Sequence, residues 1–477
     1  MTKTGRRGAN QTGAQTSPIR RLPCLCAALC LTLAAAAAQQ PSSDIQQQPG
    51  AQVHTGINSG LDTETRLDNL LADHQFLRIE GQLDQLPPRS AQFYRGILAN
   101  RNNDLKKSIE LLEPLVDEVA ASGNIAHENI IRKALAEDYL REGDWAKAAA
   151  AYQTLASRLA GKLSSDEQDE IEMPLKMLPL AKDNPPMTVD PCDPFELQVS
   201  KNLLGLTDIP VFVDARPHTW MLDPTAPFNL IARSLAKEAG LTVTEEAVTI
   251  HTLTGRPIQV HMTVVPRFTI GGQLTLRNMT AFVFEDADYF FPQTHYQVEG
   301  VLGYPALAAL GSLTITDNNT IYVRPDKQIA PAEKGDQLTG GMRFFLDGDQ
   351  MIVALVGANG QERMFAIDAG SQQTYLTSRY YDEHSEEFTG QKLELYTIRG
   401  QSALAPVPAI VAETVALTAG PTTFHVHFIP VLTQTLGSAA LDDIYGVLGV
   451  DALDQLGSYT FDYRTMRFTI KPSEARD

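Results

Sequence analysis

The sequence predicts a multidomain chain in which an all-α helical-repeat segment precedes two all-β lobes that duplicate one another. Three observations carry this expectation. Apolar residues recur at three- and four-residue spacing from about residue 63 to residue 182, then switch to alternation. Four prolines between Asn184 and Pro194 mark the switch, because proline lacks the helical N–H and clashes with the preceding turn. The third observation is an internal echo. Trp220-Met221-Leu222-Asp223-Pro224-Thr225-Ala226 and Ala366-Ile367-Asp368-Ala369-Gly370-Ser371 both run from apolar residues through an aspartate into small or turn-forming residues.

The 477 residues suffice for two to four domains, each with its own core. A formal net charge of −18 excludes a nucleic-acid surface, since phosphates would be repelled. Residues 1–21 hold Lys3, Arg6, Arg7, Arg20 and Arg21 and no acidic residue; Leu22 to Leu33 is nearly all apolar, and Ala34 to Ala38 offers small-residue cleavage sites. That is the pattern of a signal peptide over 1–38, and it predicts an exported protein, periplasmic or secreted, with no stable membrane span after cleavage. Cys24, Cys26 and Cys30 leave with this segment, so Cys192 alone remains and neither a disulfide nor a thiolate metal cage is expected. Residues 39–62, rich in Gln, Pro, Ser and Gly, read as a flexible linker.

Within the helical segment 63–182, Phe93 to Leu112 aligns loosely with Ala134 to Leu155, with Gly96 falling 40 residues before Ala136. Leu135, Ala136, Tyr139, Gly143, Ala148 and Tyr152 sit where small and large residues interlock two antiparallel helices, and this copy resembles a tetratricopeptide repeat. The resemblance implies either a groove for a protein partner or a module that braces its neighbour. After a linker over 183–195, strand-like alternation fills 196–326, with one helical piece at Ser234 to Ala239. Residues 327–340 read as an interlobe linker. A second β block fills 341–474, with a short helix near Ser378 to His384.

Set on a common origin at their aspartates, the two β blocks keep step. Gly255 lies 32 residues after Asp223, and Gly400 lies 32 after Asp368. Gly300-Val301-Leu302-Gly303 begins 77 residues after Asp223, and Gly446-Val447-Leu448-Gly449 begins 78 after Asp368. A closing hairpin follows each, at Ser312 to Ile315 and at Ser458 to Tyr463. A lobe with an aspartate and small residues after an apolar strand, a glycine-tipped hairpin and a later apolar-Gly-x-Leu-Gly segment resembles the aspartic peptidases. It looks most like the retropepsin-like domains of bacterial exported proteins.

This resemblance implies two acid-protease-like barrels in a pseudo-twofold bilobal unit, with one catalytic aspartate each, Asp223 and Asp368. Leu253-Thr254-Gly255 and Ile398-Arg399-Gly400 would be flaps over an extended peptide or unfolded protein substrate. Two carboxylates about 3 Å apart share a proton, so one can activate water while the other acts as acid. No metal or other cofactor is called for. The loops depart from the family pattern of Thr or Ser, then Gly. Lobe 1 has Pro224 and Thr225, which removes a donor and a hydroxyl and adds a β-branched side chain; lobe 2 has Ala369 before Gly370, with Ser371 as a candidate hydrogen-bond partner of an aspartate.

His425-Val426-His427 places two imidazoles on one strand face but no third ligand at a recognisable spacing, and reads as a polar face. No Gly-x-Ser-x-Gly elbow, phosphate loop or His-Glu-x-x-His occurs. Three readings remain: an exported aspartic endopeptidase, an impaired pseudopeptidase that binds extended peptides, and a scaffold built on the helical repeats.

Overall fold

In the computed structural model the described residues are 58–471, apart from 225, 252–256, 293, 326–341, 349, 358–361, 400–403, 420–421 and 437–443. The signal-peptide, interlobe-linker and most of the first-linker expectations therefore lie outside the described residues, as do Thr225, Leu253 to Gly255 and Gly400.

Among the described residues eight α-helices precede the strands: α1 (Asn58–Ala72), α2 (Phe76–Glu80), α3 (Pro88–Arg101), α4 (Leu105–Leu112), α5 (Val116–Ser122), α6 (Ile125–Arg141), α7 (Trp145–Arg158) and α8 (Ser165–Ala181). Helix thus begins at Asn58, within the stretch read as linker. The pairs α3–α4 and α6–α7 share one design. Asn103 (φ 58°) and Gly143 (φ 77°) reverse the chain in the left-handed region. Asp104 and Asp144 then cap the next helix, accepting from the N–H of Lys107 at 3.3 Å and Lys147 at 3.0 Å. Gly96 has no side chain because α4 leaves no room: a Cβ there would lie 2.4 Å from Leu112 Cδ2. Ser164 starts α8 with a reciprocal capping box to Glu167.

The β region opens with β1 (Thr188–Val189), β2 (Phe195–Gln198), β3 (Ser200–Lys201), β4 (Thr207–Val213), β5 (Arg216–Leu222) and β6 (Leu230–Ala232). Helix α9 (Arg233–Glu238) follows, then β7 (Val248–His251), β8 (Pro257–Ile270), β9 (Leu274–Phe284), β10 (Phe290–Phe291), β11 (Tyr296–Gln297) and β12 (Gly300–Leu302). Helix α10 (Tyr304–Ala309), β13 (Ser312–Ile315) and β14 (Thr320–Arg324) end the first half. The second half holds β15 (Met342–Asp347), β16 (Gln350–Gly357), β17 (Glu362–Ile367), β18 (Tyr375–Leu376), α11 (Ser378–His384), β19 (Glu394–Arg399), β20 (Leu404–Ala419), β21 (Thr422–Leu432) and β22 (Gly446–Leu448). A short helix at Val450–Leu453, β23 (Ser458–Asp462) and β24 (Arg467–Lys471) complete the described chain.

Six strands of the first half hydrogen-bond in a closed ring, β4-β5-β12-β6-β9-β8 and back to β4. Six of the second half close in the same order, β16-β17-β22-β18-β21-β20 and back to β16. Closure leaves no free edge within either ring. Within the rings β5 runs parallel to β12, and β17 parallel to β22. Both blocks are joined through β13 and β23, which pair antiparallel with Leu313 opposite Phe461 and Thr314 opposite Thr460. Phe344, Phe461 and Phe468 pack beneath this junction, fully buried.

The helical region rests on the turn between β15 and β16. Asp347 meets Arg101 Nη2 at 2.8 Å and His74 Nδ1 at 2.5 Å. Burial alone would raise the Asp347 carboxyl, but the Arg101 and His74 charges overcome it and hold it well below the usual carboxylate range. Arg343 bonds Glu80 at 2.6 Å, and the Phe76 ring packs on Phe345 at 5.0 Å. Both partners at each contact are at least two-thirds covered, so these pairs escape most of the screening that weakens surface ion pairs.

Candidate active site

Each aspartate sits where an apolar strand runs out. On β5, Trp220, Met221 and Leu222 are buried, with the Trp220 ring against Phe268 at 4.6 Å. On β17, Phe365, Ala366 and Ile367 are buried in turn. The backbone N–H of Asp223 donates to Leu302 at 3.1 Å, and that of Asp368 donates to Leu448 at 2.9 Å. The parallel partner strand therefore fixes where each carboxylate begins.

The loops beyond the aspartates are built alike. Tyr304 N–H donates to Ala226 O at 2.8 Å, and Val450 N–H donates to Ser371 O at 2.9 Å, the same positions in the two halves. Six residues after each aspartate a polar side chain ties the loop to the second glycine of the Gly-Val-Leu-Gly segment. Asn229 Oδ1 accepts from Gly303 N–H at 3.1 Å, and Thr374 Oγ1 accepts from Gly449 N–H at 2.9 Å. Thr374 is itself anchored, donating to Asp451 Oδ1 at 2.6 Å. Asn229 and Thr374 escaped the reading of the sequence, although their equal spacing from the two aspartates was a signal there.

The structure brings the two carboxylates together at Gly370. A Cβ on Gly370 would lie 2.4 Å from Asp223 Oδ2 and 3.2 Å from Asp368 Oδ1. Those two oxygens are therefore at most about 5.6 Å apart, the sum of the two approaches. Gly370 N–H donates to Asp368 Oδ1 at 2.9 Å, and Ala226 N–H donates to Asp223 Oδ1 at 3.2 Å. Both aspartates are nearly enclosed, 4% and 3% exposed.

Of the other candidate residues, Pro224 and Ala369 are buried beside the pair, and neither carries a hydroxyl. Ser371 Oγ donates to Gln373 O at 3.3 Å instead of reaching an aspartate. Ile398 and Arg399 lie on β19, opposite Ala405 and Leu404 of β20. On the first half β7 and β8 converge in the same antiparallel way, ending at His251 opposite Pro257. Tyr463, just past β23, adds a group not foreseen. Burial, with the Tyr304 and Asp223 charges, raises its phenol well above the ordinary value.

Among the described residues no cluster of three or more His, Cys, Asp or Glu could hold a metal ion. His425 and His427 stack 6.5 Å apart on β21, and His427 Nδ1 pairs with the Thr414 hydroxyl at 3.0 Å. No described helix is long and apolar enough to cross a membrane.

Residues 209–306 match the aspartyl protease family model. The match spans Asp223 and Gly303 and stops short of Asp368. No curated protein gives a match. Among solved structures, the aspartic proteinase of Irpex lacteus is 12% identical over 59% of this chain and 99% of its own, with a TM-score of 0.37. A retropepsin-like aspartic protease of Rickettsia conorii is 15% identical over 28% of this chain and 94% of its own, with a TM-score of 0.21. The basic 7S globulin of soybean is 11% identical over 60% of this chain and 96% of its own, with a TM-score of 0.38.

Proposed function

We propose that the chain is an aspartic-type endopeptidase whose two carboxylates, Asp223 and Asp368, hydrolyse peptide bonds of an extended or unfolded protein. The observation that carries this reading is the approach of both carboxylates to Gly370. On this reading the two closed rings are barrels related by a pseudo-twofold axis, each giving one aspartate to a cleft between them. The hairpins that end in β7–β8 and β19–β20 are the flaps.

The pair shares one proton. The ionised carboxylate takes a proton from a water molecule, whose oxygen attacks the scissile carbonyl carbon, while the protonated carboxyl donates to the carbonyl oxygen. Collapse of the tetrahedral intermediate breaks the C–N bond, and the amine leaves with a proton from the pair. The N–H groups of Gly370 and Ala226 each hold one carboxylate oxygen, which orients the other for this exchange.

Pro224 favours a second reading, a cleft that binds peptides with impaired turnover, because it supplies neither the hydroxyl nor the N–H of the usual residue after the aspartate. The helical region is read as tetratricopeptide-like pairs that brace the β region, and the N-terminal pattern as an export signal. Purified protein incubated with an unfolded protein substrate distinguishes the readings: cleavage lost on Asp368→Asn supports the endopeptidase, and peptide binding without cleavage selects the impaired cleft. Fractionation of expressing cells tests export, which retention of the full-length chain in the cytoplasm would contradict.

A further inference from the structure

A cavity of about 280 Å³ lies between the helical region and the first β half. Met173 and Met177 of α8 line it from the helical side, and Phe228 and Phe282 line it from the β side. Neither Asp223 nor Asp368 is in its wall, so its occupant is not tied to the bond proposed to be cut. Four buried polar atoms of its lining residues have no hydrogen-bond partner among the described residues: Trp145 Nε1, the Tyr304 hydroxyl, Glu137 Oε1 and Asn103 Oδ1. Buried polar atoms are seldom left unpaired, because each gives up its hydration without return. Trp145 Nε1 can only donate, while Glu137 Oε1 and Asn103 Oδ1 accept. Burial pushes the Tyr304 phenol up to about 12, so it keeps its proton and can donate too.

We propose that this cavity binds a small uncharged molecule with an apolar body and a hydroxyl head, an aliphatic alcohol being the simplest case. The unpaired atoms argue for the head. A hydroxyl accepts from Trp145 and Tyr304 through its two lone pairs and donates to Glu137 or Asn103. A carboxylate, which only accepts, leaves Glu137 and Asn103 unmatched, and an ammonium, which only donates, leaves Trp145 unmatched. The carboxylate also finds no uncommitted cation. Arg141 meets Glu137 Oε2 at 3.4 Å and donates to Asn100 O at 2.9 Å and Gly348 O at 3.2 Å. The apolar wall argues for the body. A dry cavity of about 150 Å³ takes up a benzene ring, so about 280 Å³ suits roughly ten non-hydrogen atoms. The methionine side chains are unbranched and polarisable, which lets them mould to such a body. Water alone fits poorly: each molecule needs about two to four polar partners, and four atoms in an otherwise apolar wall serve about one or two.

The test titrates the full chain with octanol, octanoate and octylammonium and follows tryptophan emission. The chain has two tryptophans, Trp145 in the cavity wall and Trp220 fully buried against Phe268, so a change reports on Trp145. Octanol should give a saturable blue shift, and either ion should bind at least about tenfold more weakly. Ala308→Phe from α10 and Met173→Phe from α8 fill the space from two sides and should abolish the shift. Tyr304→Phe removes one unpaired hydroxyl, leaves the packing intact and should weaken octanol binding about three- to tenfold. Unfolding curves check that each variant folds. No saturable shift with octanol, or a shift that both filling variants leave untouched, would overturn the site. Octanoate or octylammonium binding as tightly as octanol, or unchanged affinity in Tyr304→Phe, would overturn the hydroxyl head. None of these outcomes depends on whether the chain cuts peptides.

Discussion

Gly370→Ala is the smallest change that reaches the proposed catalytic pair. Gly370 does not lie in the left-handed region, so alanine meets no backbone penalty there. The obstacle is the pair itself. The new methyl carbon would sit 2.4 Å from Asp223 Oδ2, 2.9 Å from its Cγ and 3.2 Å from Asp368 Oδ1. Ordinary contacts need about 3.5 Å, so the Asp223 carboxylate must retreat by about 1 Å. It has little room, being 4% exposed and held by the N–H of Ala226. A displacement of about 1 Å in reacting groups costs on the order of 100-fold in rate. Overpacking costs about 1–3 kcal/mol, partly offset by the lower entropy of unfolded alanine. The assay is kcat/KM on a peptide substrate, with Tm measured alongside. Gly81→Ala serves as the control, because its methyl would meet nothing nearer than 3.9 Å. Wild-type kcat/KM in the Gly370→Ala protein would refute the geometry.

Asp347→Ala should strip the buried charges of Arg101 and His74 of their common partner and cost about 3–5 kcal/mol, read as a lowered denaturant midpoint. Because the Asp347 carboxyl is depressed in the folded state, its contribution is present above the ordinary carboxylate range and is lost only as pH falls through the lowered value, so the contact should survive mild acid. Asp138 behaves oppositely: burial pushes its carboxyl up to about 6 despite a 2.8 Å hydrogen bond from Asn100. The folded state then binds the extra proton between about pH 4 and about pH 6, and stability should fall as pH rises through that window; Asp138→Asn should flatten this slope in denaturation curves. Pro224→Thr combined with Thr225→Gly should raise kcat if the first loop limits turnover, and unchanged kcat would reject that diagnosis.

The common strand order of the two halves was legible because ring closure leaves marks on sequence. Gly303 and Gly449 lie where a Cβ would meet backbone atoms of the opposing loop at 2.2 Å and 2.6 Å, so each half shows its glycine at nearly the same distance from its aspartate. The helix at Ser378–His384 was legible from its periodicity, and the caps Asp104 and Asp144 keep the 40-residue offset noted from Gly96 to Ala136. The join between β13 and β23 was not legible, because a pairing between residues 146 positions apart leaves no local pattern. The seat of the helices on Asp347 stayed hidden for the same reason: an aspartate at the end of a strand, just before a glycine, is ordinary turn-flanking chemistry until Arg101 and His74 are seen beside it. Ser371 misled the other way, since a hydroxyl three residues after an aspartate is as able to close its own turn as to reach a carboxylate.

The most direct test of the central claim is the initial rate at which purified protein cleaves a heat-unfolded protein substrate from about pH 3 to about pH 7, compared with Asp223→Asn and Asp368→Asn. A shared proton between the two carboxylates predicts a rate favoured in acid and a loss on the order of 1,000-fold or more in either variant. Cleavage that survives both substitutions, or no cleavage by the unaltered chain at any pH in that range, would contradict it.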